Sequence, residues 1–196
     1  MHPKRIFVLD GHPAATSLSR TFAETYAERA RAAGHEVRLA HLSEMRFDAD
    51  FGQGSYTDWK PLEPALEQVV KQIEWAEHIV LATPMWWGGM PAKLKGLVDR
   101  ALLPGRAFDT RVTRMGMPAP MLGGRTARVI VTSDTPGWFL RLVYRNAIRH
   151  QVGGQILRFV GIGPVRFTHF TGASAPRAGL MERWIGRVGR LGATAG

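Results

Sequence analysis

Cysteine is absent from the 196 residues, which excludes a disulfide framework and thiolate chemistry. The sequence also lacks an apolar run long enough to span a membrane, and its first apolar run is too short for the core of a signal peptide. Hydrophobic residues make up 45% of the chain, enough to bury one full core. We therefore predict a single cytoplasmic domain over residues 1–196, without a membrane span.

The glycine-rich fingerprint of dinucleotide-binding folds is also missing. After the first predicted strand the chain reads GHPAATSLS, from Gly11 to Ser19, where that fingerprint would require G-x-G-x-x-G. A dinucleotide-binding fold of that type therefore loses its main support.

Acidic residues are scarce in the second half. Residues 1–100 carry 12 Lys and Arg against 13 Asp and Glu, whereas residues 101–196 carry 14 cations, all of them Arg, against 3 acids. Arginine suits phosphate, which points to an anionic ligand or partner. The sequence has no helix-turn-helix, zinc-finger or RNP-like pattern, and its arginines are interleaved with apolar residues. We therefore expect no nucleic-acid partner and assign most arginines to solvated helix faces.

Strand and helix patterns alternate five times along the chain. Strands are predicted at residues 6–9, 35–41, 78–82, 128–132 and 165–170, and helices at residues 19–33, 62–76, 91 onward, 138–151 and 178–191. Residues 103–124 are predicted to form a long loop, and Gly153 and Gly154 to end the fourth helix. This alternation predicts an α/β fold with helices on both faces of a doubly wound parallel sheet. The flavodoxin-like strand order 2-1-3-4-5 fits five strands and this length.

The loop after the first strand carries hydroxyl groups beside a helix N-terminus. Thr16, Ser17 and Ser19 lie where free backbone N–H groups favour a phosphate, and His12 adds a donor. Alternatively, Ser17 or Ser19 is an ordinary N-cap and His12 a turn residue. In the predicted sheet order this loop neighbours the loop after the third strand.

The loop after the third strand contains two adjacent tryptophans and two glycines. It runs over residues 84–89, and Trp86 and Trp87 would give a flat aromatic wall beside accessible backbone. Such a loop suits a planar heterocycle. Alternatively, both tryptophans are core or dimer-interface residues.

These two loops, GHPAATSLS and PMWWGGMPAKLKGLVDR, resemble the flavodoxin-fold NAD(P)H:quinone oxidoreductases, a group that includes modulators of drug activity and potassium-efflux ancillary subunits. The resemblance spans residues 5–187, and its most specific part is W-G-x-x-P-A-x-L-K-G, beginning at Trp87. It implies a non-covalent flavin, FAD or FMN, and two-electron reduction of quinones by NADH or NADPH. It also implies a homodimer with its sites at the subunit interface.

The resemblance implies a flavin-binding set drawn from three loops. It consists of His12, Ser17, Leu18 and Ser19 for the phosphate, and of Pro84, Met85, Trp86, Trp87, Gly88, Thr132, Ser133, Asp134 and Thr135 for the ring. The mammalian-type pattern has a glycine pair where this chain has Asp134 and Thr135. Asp134 would either accept a hydrogen bond from the ring or cap the next helix.

Other roles follow from the resemblance or from the arginine bias. Tyr144 and His150 are the candidates for stabilising charge on the reduced ring, although their spacing departs from the family pattern, and no metal is implied. Trp87, Phe108 and a partner-subunit aromatic would wall the substrate slot, unless Phe108 is a core residue. The arginines predicted to read the extra phosphate of NADPH are Arg106, Arg111 and Arg114.

The predicted function is therefore a flavin-dependent quinone reductase. The adenylate half of FAD, which the resemblance favours, would need residues 53–59 or the last helix near Glu182 and Arg183. A hydrolase or transferase on the same fold is disfavoured, because neither a nucleophile elbow nor a converging acid pair is found. The remaining alternative is a basic regulatory or nucleic-acid-binding module with a degenerate flavin pocket.

Overall fold

A computed structural model of the protein describes residues 2–52, 54 and 58–195. Seven strands occur in chain order, namely β1 (Arg5–Asp10), β2 (Glu36–His41), β3 (His78–Pro84), β4 (Phe108–Arg114), β5 (Met117–Pro120), β6 (Thr126–Ser133) and β7 (Val165–Thr171). The helices are α1 (Leu18–Ala32), α2 (Pro64–Trp75), α3 (Ala92–Ala101), α4 (Gly137–Leu142), a π-helix (Arg149–Arg158) and α5 (Leu180–Thr194), with a 3-10 turn at Leu42–Glu44. None of the helices described is long and apolar enough to cross a bilayer.

Five of the strands form one parallel sheet in the order β2-β1-β3-β6-β7. Side chains alternate across it, so that Ile6 and Val8 face one core while Phe7 and Leu9 face the other. The first core is covered by α1 and α5, and the second by α2, α3 and the π-helix. The predicted parallel sheet with helices on both faces is confirmed, and the predicted strands lie within a few residues of the observed ones.

The predicted loop at residues 103–124 is wrong in part, because β4 and β5 form an antiparallel hairpin there. Met115 and Gly116 make its two-residue turn, with φ values of 53° and 78°. The sequence does not indicate this hairpin, because methionine is unusual in such a turn and proline argues against a strand. Proline is nevertheless tolerated in an edge strand such as β5. The hairpin lies outside the parallel sheet, so the sheet order in chain numbering is 2-1-3-6-7. When only the five strands of the sheet are numbered, this is the predicted order 2-1-3-4-5.

The predicted continuous helix at residues 138–151 is also wrong in part, because residues 143–146 interrupt it. Helix α4 ends at Leu142, and Arg145 and Asn146 adopt left-handed backbone before the π-helix begins. The π-helix then continues through Gly153 and Gly154. A Cβ on Gly153 would lie 2.8 Å from the ring of Phe167, so this glycine permits close packing on β7 and does not end the helix.

Arg100 anchors the irregular segment between β2 and α2. Its guanidinium is buried and donates to the carbonyl oxygens of Asp48 (2.7 Å) and Pro61 (3.0 Å) and to the carboxylate of Glu63 (2.9 Å). These bonds compensate the burial of the charge and hold the segment against α3.

Helix α5 packs against α1 through small residues, and this contact gives a test of the fold. A Cβ on Gly192 would lie 2.5 Å from the carbonyl oxygen of Tyr26, whereas a Cβ on Gly186 would meet only Arg190, at 3.7 Å. We expect Gly192→Ala to lower the free energy of unfolding by about 1–3 kcal/mol through overpacking. Gly186→Ala should raise it by about 0.5–1 kcal/mol, because alanine is the better helix former. Urea unfolding measures both changes, and equal stability of the two variants would contradict the packing described.

Candidate functional site

The loops that follow β1, β3 and β6 meet at the C-terminal edge of the sheet. Backbone hydrogen bonds continue past the ends of the strands. The N–H of Gly11 donates to the carbonyl of Ala82, and the N–H of Met85 donates to the carbonyl of Thr132, both at 2.8 Å. Two pockets open between these loops and share Met85 as a wall. Ligands of open α/β sheets bind at this edge.

The first pocket, called the polar pocket here, has a volume of about 240 Å³. It is lined by His12, Thr16, Ser17, Leu18, Ser19, Pro84, Met85, Trp86, Thr132, Ser133, Asp134, Ala173 and Ser174. The structure thus brings together all of the predicted phosphate-binding residues and most of the predicted ring-binding residues.

The N-terminus of α1 forms one wall of the polar pocket. Ser17 is its N-cap, because the Oγ of Ser17 accepts a hydrogen bond from the N–H of Arg20 at 3.0 Å. Ser19 is buried, and its Oγ has no hydrogen-bond partner among the described residues. The first turn of α1 contains no acidic residue. This wall therefore offers an unused hydroxyl and the positive end of a helix dipole.

His12 is held by its neighbours in a defined tautomer. Its Nδ1 accepts a hydrogen bond from the N–H of Ala14 (3.0 Å), which leaves the proton of the neutral ring on Nε2. The N–H of His12 donates to the carboxylate of Asp10 (3.1 Å), which also lies 3.3 Å from Nδ1 of His41. Burial raises the pKa of Asp10. The imidazole of His12 meets Trp86 edge to face, with ring centroids 5.6 Å apart.

The tryptophan loop is a tight two-residue turn. Trp86 and Gly89 exchange both backbone hydrogen bonds (3.0 and 2.9 Å), and Trp87 and Gly88 between them have φ values of 51° and 79°. The side chain of Trp87 is fully exposed, so Trp87 is not a core residue. Left-handed backbone is costly for a tryptophan, and such strain concentrates at functional sites.

Hydrogen bonds to β7 and to the segment after β7 hold the loop that follows β6. Ser133 Oγ lies 2.8 Å from Nε2 of His169, and the carboxylate of Asp134 accepts from the N–H (2.8 Å) and the Oγ (2.6 Å) of Ser174. These bonds from Ser174 hold the pKa of Asp134 below its usual value. The predicted capping role of Asp134 is wrong, because Pro136 occupies the N-cap position of α4.

The second pocket, called the Trp87 pocket here, has a volume of about 560 Å³. Its lining consists of Met85, Trp87, Gly88, Thr135, Leu140, Tyr144, Asn146, Ala147, Ile148, Arg149 and His169. A tryptophan wall on one side and polar groups on the other suit a flat aromatic molecule.

Sequence comparison identifies the family. A family model described as having a flavodoxin-like fold matches residues 4–186. The chain belongs to this family.

Two relatives and one solved structure are similar to this flavodoxin-like protein. It is 30% identical over 112 residues to an uncharacterized NAD(P)H oxidoreductase of Escherichia coli (strain K12), covering 55% of this chain and 57% of that protein. It is 29% identical over 144 residues to an FMN-dependent NADH:quinone oxidoreductase of Polaromonas naphthalenivorans (strain CJ2), covering 71% and 64%. The matches therefore span less than two thirds of the length of these curated relatives. The structure of an NAD(P)H:quinone oxidoreductase from Methanothermobacter marburgensis superposes with a TM-score of 0.81 over all of both chains at 23% identity, which shows a shared fold.

The two predicted charge-stabilising residues of this flavodoxin-like chain are not equivalent. Tyr144 lines the Trp87 pocket, whereas His150 is exposed and is not part of its lining. Phe108 lines a different groove of about 410 Å³ and packs edge to face on Phe159, with centroids 5.2 Å apart. Within the chain, Phe108 and Trp87 therefore do not wall one slot.

Two of the arginines predicted to bind the extra phosphate of NADPH form ion pairs with carboxylates of the chain. Arg106 is ion-paired with Glu67 and Glu74, both at 2.7 Å, and Arg111 with Asp109 at 2.9 Å. Neither Arg106 nor Arg111 lines either pocket, and the side chain of Arg114 lies outside the described part of the chain.

Two residues of the Trp87 pocket were missed from the sequence. His169 was predicted only as part of the fifth strand, and Arg149 only as part of a solvated helix face. The position of His169 near the C-terminal end of β7 was an available signal, because that end of the sheet forms the site. Burial and the charge of Arg149 lower the pKa of His169, so its imidazole is neutral at pH 7.

The bonds to Asp134 give a pH-dependent prediction. Because the pKa of Asp134 is lower in the folded than in the unfolded state, its stabilising effect is present above the unfolded pKa, about 3.9, and is lost as the pH falls through the folded value. We expect Asp134→Asn to cost less than about 1 kcal/mol at pH 7, since the group is exposed, and still less at pH 3. Urea unfolding at both pH values measures this, with Ser174→Ala as the partner variant. A cost that grows toward pH 3 would contradict the assignment.

Proposed function

We propose that the protein is a flavin-dependent NAD(P)H:quinone oxidoreductase. The observation that carries this proposal is the junction of the polar pocket with the Trp87 pocket at Met85. The polar pocket suits the phosphate of a flavin nucleotide, whose ring would lie at the junction of the two pockets. The rest of the Trp87 pocket would take the substrate. The names of the E. coli and Polaromonas relatives support the same activity.

The residues of the polar pocket fit the phosphate of a flavin. The buried Oγ of Ser19 lacks a partner among the described residues, and a phosphate oxygen would supply one. His12 would add its Nε2 proton, and the N-terminus of α1 its dipole. Leu18 and Ser17 would contribute backbone, since the Ser17 hydroxyl already caps the helix.

The ring of the flavin would lie between the tryptophan loop and the loop after β6. Its contacts would be Pro84, Met85, Trp86, Trp87, Gly88, Thr132, Ser133, Asp134 and Thr135. When bound, the flavin supplies hydride chemistry between nicotinamide and quinone. The chain would exclude water with Trp87 and Leu140, and Tyr144 and His169 would place donors around the substrate. His150 has no part in this proposal.

The identity of the flavin depends on the pockets beside the phosphate site. The Polaromonas relative is named FMN-dependent, which supports FMN. A further pocket of about 430 Å³ shares Asp134 with the polar pocket and contains Arg177 and Arg183, so the adenylate half of FAD would also find cations there. Most of the other predicted adenylate segment, residues 53–59, lies outside the described residues.

A nucleic-acid-binding or regulatory module has less support. Arg106 and Arg111 are neutralised by carboxylates, and Arg125 donates to the carbonyl oxygens of Ile73, Glu74 and Gly123. A protein that binds flavin but reduces no quinone would favour this alternative. The predicted cytoplasmic location stays a prediction.

Flavin binding and turnover test the proposal together. The purified protein reconstituted with FMN or FAD should absorb in the visible range, and NADH or NADPH should support reduction of a benzoquinone. Mass spectrometry of the ligand released by heat identifies the flavin. A protein that stays colourless with both flavins would overturn the proposal.

Two serine variants separate phosphate binding from helix capping. We expect Ser19→Ala to weaken FMN binding about tenfold or more, because a hydrogen bond to a charged group is lost, while the stability of the flavin-free protein stays the same. Ser17→Ala should instead destabilise the flavin-free protein by about 1 kcal/mol through loss of the N-cap. Fluorescence titration with FMN and urea unfolding measure the two effects. Unchanged FMN affinity in Ser19→Ala would place the phosphate elsewhere.

We further propose a homodimer that covers the exposed apolar residues beside the Trp87 pocket. Trp87, Trp138, Leu142 and Tyr144 are all exposed there, which a monomer rarely tolerates. An interface with twofold symmetry would bury these residues and complete the substrate slot. Phe108 stays a predicted substrate contact.

Sedimentation tests the dimer. We expect about twice 21.7 kDa at micromolar concentration, and dissociation at higher concentrations in Trp138→Ser than in the wild type. Trp59→Ser is the matched control, because Trp59 is also partly exposed but does not line the Trp87 pocket. A monomer that reduces quinones would contradict the dimer and leave the activity intact.

A further inference from the structure

The Trp87 pocket is polarised toward positive charge. Arg149, Tyr144 and Asn146 bring hydrogen-bond donors to it, and its lining contains no Asp or Glu within the described part of the chain. The sequence extends this imbalance, because residues 135–181 include six arginines and no acidic residue. The carboxylate of Asp134, which directly precedes the lining residue Thr135, lines the polar pocket instead and accepts hydrogen bonds from Ser174.

Arg149 is the cation of this pocket. It is the first residue of the π-helix and is exposed, and its guanidinium lies 5.4 Å from the ring centroid of Phe167. In contrast to Arg106 and Arg111, it forms no ion pair with any carboxylate that the structure describes. Its charge is therefore available to a ligand.

The backbone before the π-helix fixes the position of Arg149. Arg145 and Asn146 have φ values of 46° and 54°, and the N–H of Arg149 donates to the carbonyl of Asn146 at 2.8 Å. Two consecutive left-handed residues are costly and make a sharp break after α4. This break lets the π-helix begin at the pocket, where Arg149 forms part of the wall.

The titratable groups facing the pocket leave a net positive charge at neutral pH. His169 is neutral there, because burial and Arg149 lower its pKa. The Nε2 of His169 is hydrogen-bonded to the Oγ of Ser133 at 2.8 Å. Arg149 therefore provides the full charge, and the indole of Trp87 provides the flat apolar surface.

We infer that the Trp87 pocket selects planar aromatic electron acceptors that carry an anionic substituent, such as a sulfonate or carboxylate, and that Arg149 binds this substituent. The inference rests on the proposed function and names its substrate class. Arginine pairs with both anions through two parallel N–H donors. Neutral quinones would lack this ion pair and would be reduced less efficiently.

Kinetics with two related acceptors test this selectivity. The compounds are 1,4-naphthoquinone and 1,4-naphthoquinone-2-sulfonate, and the measured quantity is the ratio of kcat/KM for the anionic to that for the neutral quinone. Dividing the wild-type ratio by the variant ratio cancels the difference in redox potential between the two compounds. We expect Arg149→Gln to lower the ratio about tenfold or more, and Arg149→Lys to retain part of it.

Arg158→Gln is the matched control. Arg158 lies on the same π-helix, is exposed and does not line the Trp87 pocket, so its loss removes the same charge without the contact. We expect its ratio to stay within twofold of the wild type. An Arg149→Gln ratio within twofold of the wild type, or an equal fall in Arg158→Gln, would overturn the inference.

A binding measurement separates this inference from the proposed function. Calorimetric titration of the flavin-reconstituted protein with naphthalene-2-sulfonate needs no turnover, and we expect Arg149→Gln to weaken binding about tenfold relative to wild type and Arg158→Gln. If neither quinone is reduced but binding still depends on Arg149, the activity is wrong and the anion site stands. If both quinones are reduced and binding does not depend on Arg149, the anion site is wrong and the activity stands.

Discussion

The close approach at Gly11 is the constraint on which the site depends. A Cβ at this position would lie 2.8 Å from a side-chain carbon of Leu94 and 3.1 Å from one of Leu81, so both leucine side chains would have to shift. Glycine therefore lets the chain leave β1 directly beneath α3 while its N–H bonds to Ala82. Because Leu94 belongs to the helix that follows the tryptophan loop, this contact sets the distance between the two loops that form the polar pocket.

Backbone strain is concentrated near the same edge of the sheet. Trp87 and Asn146 adopt left-handed backbone and both line the Trp87 pocket, and Arg145 precedes Asn146 directly. Each such residue costs about 1–2 kcal/mol relative to a relaxed conformation, so the surrounding bonds must hold it. The paired bonds of Trp86 and Gly89 do so in one loop. The result is that Trp87 and Arg149, both exposed, belong to the lining of one pocket.

Most of the sheet and two of its three site loops could be predicted from the sequence. Apolar runs and helix caps have strong local signals, and Ser17 and the tryptophan loop lie at the ends of such runs. The hairpin and the π-helix could not be predicted, because both depend on tertiary contacts. Gly153 looks like a helix terminator in the sequence, and only its packing on Phe167 shows that the helix continues. The pairing of Ser133 with His169 joins residues 36 positions apart, a distance that local patterns do not span.

The charge of the chain is a poor guide to its binding surface, because the arginines have different partners. Arg100 is buried and pairs with the half-buried Glu63, and Arg106 connects the segment before the hairpin to α2 through Glu67 and Glu74. These pairs join arginines to acids of the first 77 residues, where most of the acids of the chain lie. Arg149, by contrast, forms no ion pair with any carboxylate that the structure describes, so its charge is not neutralised by pairing. Although the net charge of the chain is +10, the lining of the Trp87 pocket contains a single guanidinium, that of Arg149, together with the indole of Trp87. That combination favours a flat anion over a polyanion such as nucleic acid, because a polyanion needs a row of free cations.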